Sequence, residues 1–77
     1  MLVYPNPFAD AFTVAMQDAE GALTLELMDL SGRLVQRSLL PNGQRTVQLG
    51  EGLPAGSYLL RAVDANGVAS VTRLVKR

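Results

Sequence analysis

The side chains that could do chemistry here are few. The sequence carries seven carboxylates and seven basic groups, with no histidine and no cysteine. Nucleophile–histidine arrangements, zinc centres of the usual kind and thiol chemistry are thereby excluded. Paired carboxylates are the remaining acid–base option. The seven are Asp10, Asp18, Glu20, Glu26, Asp29, Glu51 and Asp64. Most fall in turns or on the polar face of a strand, where solvated acids normally sit. Asp18 with Glu20, or Asp64 with Asn66, places oxygen ligands two residues apart in loops, a spacing that calcium can use. Turn chemistry accounts for both pairs equally well, because Asp and Asn cap their own turns. Gly50-Glu51-Gly52 lacks the Lys-Ser/Thr and the following helix of a phosphate loop. A polysaccharide binder usually offers a row of exposed aromatics. Here there are Tyr4, Phe8, Phe12 and Tyr58, without tryptophan, and a structural duty is available for each. The expectation is a non-catalytic domain with no cofactor and no metal.

Size and charge narrow the class further. At 77 residues the chain is one domain. A domain of this size buries roughly 60–65% of its unfolded surface, so its stability margin is thin. Basic and acidic groups cancel to a net charge of zero, which argues against nucleic acid as a partner. No apolar run approaches the roughly 18 residues of a membrane helix, so membrane insertion is not expected. If the protein is exported, its export signal lies upstream, because Met1-Leu2-Val3 runs straight into prolines.

The elements that must carry these residues read as strands. Phe12, Val14 and Met16 alternate with Thr13, Ala15 and Gln17, and Leu23, Leu25 and Leu27 alternate with Thr24, Glu26 and Met28. Period two marks strands with one buried face. A strand over about 33–40 is less regular, with Val35 and Leu39 on the face of Arg37. Residues 46–49 alternate again, 57–64 are apolar on both faces and so central, and 68–75 alternate loosely. Ser31-Gly32, Asn42-Gly43 and Asn66-Gly67 separate strand-like runs with hairpin turn residues. Strands thus recur every 8–12 residues or so, the rhythm of a β-sandwich or small barrel.

Three local features stand out. In Tyr4-Pro5-Asn6-Pro7-Phe8 the two prolines forbid a helix, cannot donate to a sheet ladder and favour a stiff, polyproline-like lead-in over residues 1–8. Tyr58 follows Pro54 and Gly56 at the start of the doubly apolar strand. In immunoglobulin-type sandwiches a tyrosine at that corner bonds back to upstream backbone; the plainer reading is a tyrosine filling the core. The terminal Arg73-Leu74-Val75-Lys76-Arg77 reads either as an edge strand blunted by charge or as a strand end offered to a receptor.

Taken in order, four segments resemble one family. They are Tyr4-Pro5-Asn6-Pro7-Phe8; Met28-Asp29-Leu30-Ser31-Gly32-Arg33-Leu34-Val35; Gly52-Leu53-Pro54-Ala55-Gly56-Ser57-Tyr58-Leu59-Leu60-Arg61; and Arg73-Leu74-Val75-Lys76. The series is similar to the type A C-terminal sorting domain of type IX secretion cargo and spans nearly the whole chain. The resemblance implies an immunoglobulin-like β-sandwich of about seven antiparallel strands at the end of a secreted protein, preceded by a linker. It implies that an upstream cargo passes through the periplasm and is recognised at an outer-membrane translocon. It also implies that a surface sortase-like peptidase commonly removes the domain upstream of or near Tyr4, leaving the cargo secreted or on the cell surface. The residues it points to for translocon recognition are Gly56 and Tyr58 of the corner, with Arg73, Leu74, Val75, Lys76 and Arg77 of the last strand. Arg73 stands where many members carry lysine. The alternative is a structural immunoglobulin- or fibronectin-like module, a carbohydrate-binding module, or a domain like that of hook-capping proteins.

Overall fold

The alternation read from the sequence becomes burial on one face of each strand. Phe12 and Val14 are buried while Thr13 and Ala15 are half-buried, and Leu23, Leu25 and Leu27 are buried between half-buried neighbours. The computed structural model describes residues 1–17 and 19–77; Asp18, and with it the Asp18–Glu20 pair, lies outside the described residues. The strands are β1 (Leu2–Tyr4), β2 (Phe12–Ala15), β3 (Leu23–Asp29), β4 (Leu34–Leu40), β5 (Thr46–Leu49), β6 (Gly56–Val63) and β7 (Ala69–Lys76). They form a three-stranded sheet in the order β1-β2-β5 and a four-stranded sheet in the order β4-β3-β6-β7. Every pairing within the sheets is antiparallel. The fold is the expected all-β, immunoglobulin-like sandwich, with the inner faces closing over one hydrophobic core.

The doubly apolar strand β6 is central, between β3 and β7. The structure adds β1, which no alternation announced, and corrects the reading of β4. Leu27 pairs with Gln36 but Met28 pairs with Leu34, so Val35 is an extra residue. This bulge shifts the side-chain phase by one. Gln36, Ser38 and Leu40 stand opposite the inward Leu27, Leu25 and Leu23, while Arg37 and Leu39 point to solvent. Val35 packs on the core from the bulge, so it does not share the outer face of Arg37 and Leu39.

The two hairpins of the four-stranded sheet share one turn design. In both, a glycine amide donates to the Asp carbonyl three residues back, Gly32 to Asp29 and Gly67 to Asp64. The Asp carboxylate then accepts the amides two and four residues on, those of Ser31 and Arg33 in one turn and of Asn66 and Val68 in the other. These are Asx-type turns that fix both hairpin registers locally.

The sheets are joined through an aromatic pair. Phe8 and Phe12 meet edge to face with centroids 4.9 Å apart. Gly50, at the end of β5 with φ +91°, lies against both rings; a Cβ there would come within 2.7 Å of Phe12 and 3.1 Å of Phe8. Its amide donates to Gln36 Oε1 of the opposite sheet at 2.9 Å. Gly50→Ala therefore combines a left-handed backbone with an overpacked core. It is expected to cost about 2–4 kcal/mol. Urea unfolding should show a lower midpoint at unchanged slope.

Candidate recognition site

The residues expected to carry recognition lie on the two adjoining strands β6 and β7. Gly56 pairs with Lys76, Ser57 with Val75, Tyr58 with Leu74 and Leu59 with Arg73. Gly56 has φ +153° with open space around it, so its backbone rather than a close neighbour favours glycine. Within the set, Tyr58 and Leu74 face the core and are buried, whereas Arg73 and Val75 face outward. The Tyr58 hydroxyl donates to the Pro54 carbonyl at 2.6 Å, which is the tyrosine corner. Tyr58 and Leu74 thus hold the two strands together, and in the folded domain a partner can reach only their exposed neighbours.

The opening motif and the final strand form a single contact. Rather than running as a polyproline-like lead-in, Tyr4 ends β1 opposite Thr13, and the chain then crosses to β7. The Tyr4–Pro5 and Asn6–Pro7 peptide bonds are cis. Asn6 Nδ2 donates to the Arg73 carbonyl at 3.0 Å, and the Val75 amide donates to Asn6 Oδ1 at 3.1 Å. The Phe8 amide donates to the Val75 carbonyl and the Arg77 amide to the Phe8 carbonyl, both at 2.9 Å. Phe8 forms a parallel bridge with Lys76 and is fully buried.

Residues 73–77 therefore do not present a free backbone edge, because the domain's own first residues occupy it. Prolines have no amide hydrogen to give, so the carboxamide of Asn6, one donor and one acceptor, takes the place of a peptide group between them. That substitution was the available sequence signal for the contact. Gln36 as a link to Gly50 had none: it lies inward in simple alternation with Ser38 and Leu40, but nothing in the sequence names its partner in the other sheet. At the other end of β7 the seam opens into a cleft of about 430 Å³ lined by Met1, Leu2, Ala15, Met16, Val68 and Ser70, among others.

Four of the carboxylates, Glu20, Glu26, Asp29 and Asp64, are engaged in structural contacts. Glu26 pairs with Arg61 at 3.5 Å and Asp29 with Arg33 at 3.2 Å. One oxygen of Asp64 is held by its own turn, and Asn66 turns its amide donor to Glu20 at 3.2 Å. The Asp64–Asn66 spacing thus serves a turn and a cross-loop hydrogen bond. The hydroxyl of Ser31 donates to Asp29 at 2.6 Å. That bond first, and then the Arg33 amide, holds the Asp29 carboxyl below its ordinary value of 3.8.

A family model described as the secretion system C-terminal sorting domain matches residues 2–77. The chain belongs to this family. No curated protein is similar enough to serve as a relative. The sorting domain is a signal of type IX secretion, and the cargo that bears such a signal is secreted or displayed at the cell surface. Families of this kind act as signals and are generally not catalysts.

Two outcomes follow for the sorting domain. Asn6→Ala removes both side-chain bonds to β7 and should cost about 1–3 kcal/mol. Hydrogen exchange should quicken at the Val75 and Arg77 amides before it does in β3. For Asp29 the sign is that of a depressed carboxyl. The stability it supplies is complete above the unfolded value near 3.8 and is lost as pH falls through its lower folded value. An NMR titration should place its midpoint below 3.8, and Asp29→Asn should flatten the fall in melting temperature within that acid window.

Proposed function

We propose that this domain directs an upstream cargo protein through the outer-membrane translocon of the type IX system and is then cut away by a surface sortase-like peptidase. The cargo would pass through the periplasm. The domain itself would bind no cofactor and catalyse nothing. The observation that carries this reading is the family match over residues 2–77, supported by the direct contact between its first motif and its last strand. Residues 1–77 would act as one C-terminal unit. Gly56, Arg73, Val75, Lys76 and Arg77 would be its accessible recognition residues, and Tyr58 and Leu74 would hold them in place.

The cut would fall upstream of Leu2. Residues 2–4 are paired in β1 and residues 6–8 are bound to β7, so a peptidase would find accessible extended chain only before them. The test is a fluorescent reporter fused ahead of residues 1–77, with a linker and an upstream export signal, in a host that has the system. The reporter should appear outside the cell, shortened by the mass of the domain. N-terminal sequencing of the released fragment should begin before Leu2. A fusion that stays in the periplasm would refute the sorting reading and favour a structural module.

A further inference from the structure

An antiparallel sheet with one solvated face normally alternates apolar inside and polar outside. The three-stranded sheet does so on β2 and β5, with Thr13, Ala15, Thr46 and Gln48 outward, and departs from it on its edge strand, where Leu2 is 59% and Tyr4 48% exposed. The four-stranded sheet does not. One outer cross-strand row runs Leu34, Met28, Leu59, Arg73, and the next runs Arg37, Glu26, Arg61, Val71. Leu34 is 49% exposed, Leu39 66%, Val71 61% and Val75 37%. Leu34, Met28 and Leu59 are neighbours across three strands, and a contiguous apolar patch on a solvent face marks an interaction surface.

The charges on this face say what covers it. Glu26 is engaged by Arg61. Arg37 and Arg73 have no carboxylate partner among the described residues, so the face is positive although the chain's net charge is zero. Two such faces carry charge of the same sign, which disfavours a second copy stacked on it. Two members of the expected recognition set, Arg73 and Val75, project from this face, while the backbone edge beside them is closed by Asn6 and Phe8. Recognition by strand addition at 73–77 would have to displace the domain's own motif; recognition by the face displaces nothing.

We propose that the outer face of the four-stranded sheet is the docking surface of this domain, and that its partner is a protein surface with apolar side chains flanked by carboxylates opposite Arg37 and Arg73. This rests on the sorting reading and assigns the surface that reading leaves open.

The test uses the same reporter fusion, whose cargo is foreign, so contacts to a native cargo play no part. Two double variants change the face: Leu39→Glu with Val71→Glu, and Arg37→Glu with Arg73→Glu. A third, Thr13→Glu with Gln48→Glu, changes the opposite sheet. The face variants should lose export by about tenfold or more, since like charges across an interface cost several kcal/mol. The opposite-sheet variant should export normally, and all should melt close to the parent. If a glutamate pair unfolds the domain, Arg37→Ser with Arg73→Ser reads the same face at two exposed positions.

Folded face variants that export like the parent would overturn the docking surface and leave the sorting reading standing. Failure of the unaltered fusion would remove both. Sedimentation of the domain as a dimer that Val71→Glu dissociates would reassign the face to self-association. Flotation with phosphatidylglycerol vesicles, lost in Arg37→Glu, would reassign it to lipid. Either result overturns the acidic protein partner.

Discussion

The carboxamide of Asn6 closes the side of the sandwich where β1 and β7 would otherwise stand as separate edges. It does so between two prolines that can give nothing to a ladder, supplying one donor and one acceptor to the backbone of β7. That contact delivers Phe8 to the core, where it meets Phe12 edge to face. The two rings lie on Gly50, and the Gly50 amide crosses to Gln36. One seam is therefore closed by Asn6 and Phe8, the other is bridged by Gln36, and the aromatic pair joins them. In a chain with no disulfide to hold its sheets together, this run of contacts links the first motif to both halves of the fold.

The same contact ties together segments of this chain that lie far apart in sequence. The first motif is received by the last strand, and the Gly56–Tyr58 corner places β6, which that strand pairs with. The Asp29 turn sets the β3–β4 register and the Asp64 turn repeats the device between β6 and β7. Much of these segments in this chain thus serves the fold itself. Burial separates those residues from any that a partner touches: Tyr58 and Leu74 lie inside, while Arg73 and Val75 on the same strands lie outside.

Most of the sandwich was legible because its strands alternate and Gly32 and Gly67 mark its two tight hairpins, although Asn42-Gly43, which carries the same signal, joins strands of different sheets. Phe12 to Met16 and Leu23 to Leu27 predicted their buried faces directly, and the apolar run of β6 predicted its central position. β4 was misread because one bulged residue, Val35, changes the phase, and alternation has no means of announcing an insertion. β1 was missed because three residues are too short to alternate. The role of Tyr4 to Phe8 was misjudged for a different reason. Two prolines do favour an extended conformation locally, but their partner lies almost the full chain away, and local preference carries no information about it.

If the outer face is the docking surface, a partner would recognise the folded sheet and not a stretch of sequence. Arg37, Arg61 and Arg73 are far apart along the chain and are brought onto one face only by the β4-β3-β6-β7 order. Leu34 and Leu59 share a row only because the bulge at Val35 restores the phase before the turn. An unfolded chain would offer the same residues with none of this geometry. A linear signal reports that a sequence is present; a face assembled from four strands reports that the domain has folded. The closing of β7 by Asn6 would serve that distinction twice, because it holds the outer strand in register and occupies backbone groups that an unfolded tail would leave open to pairing.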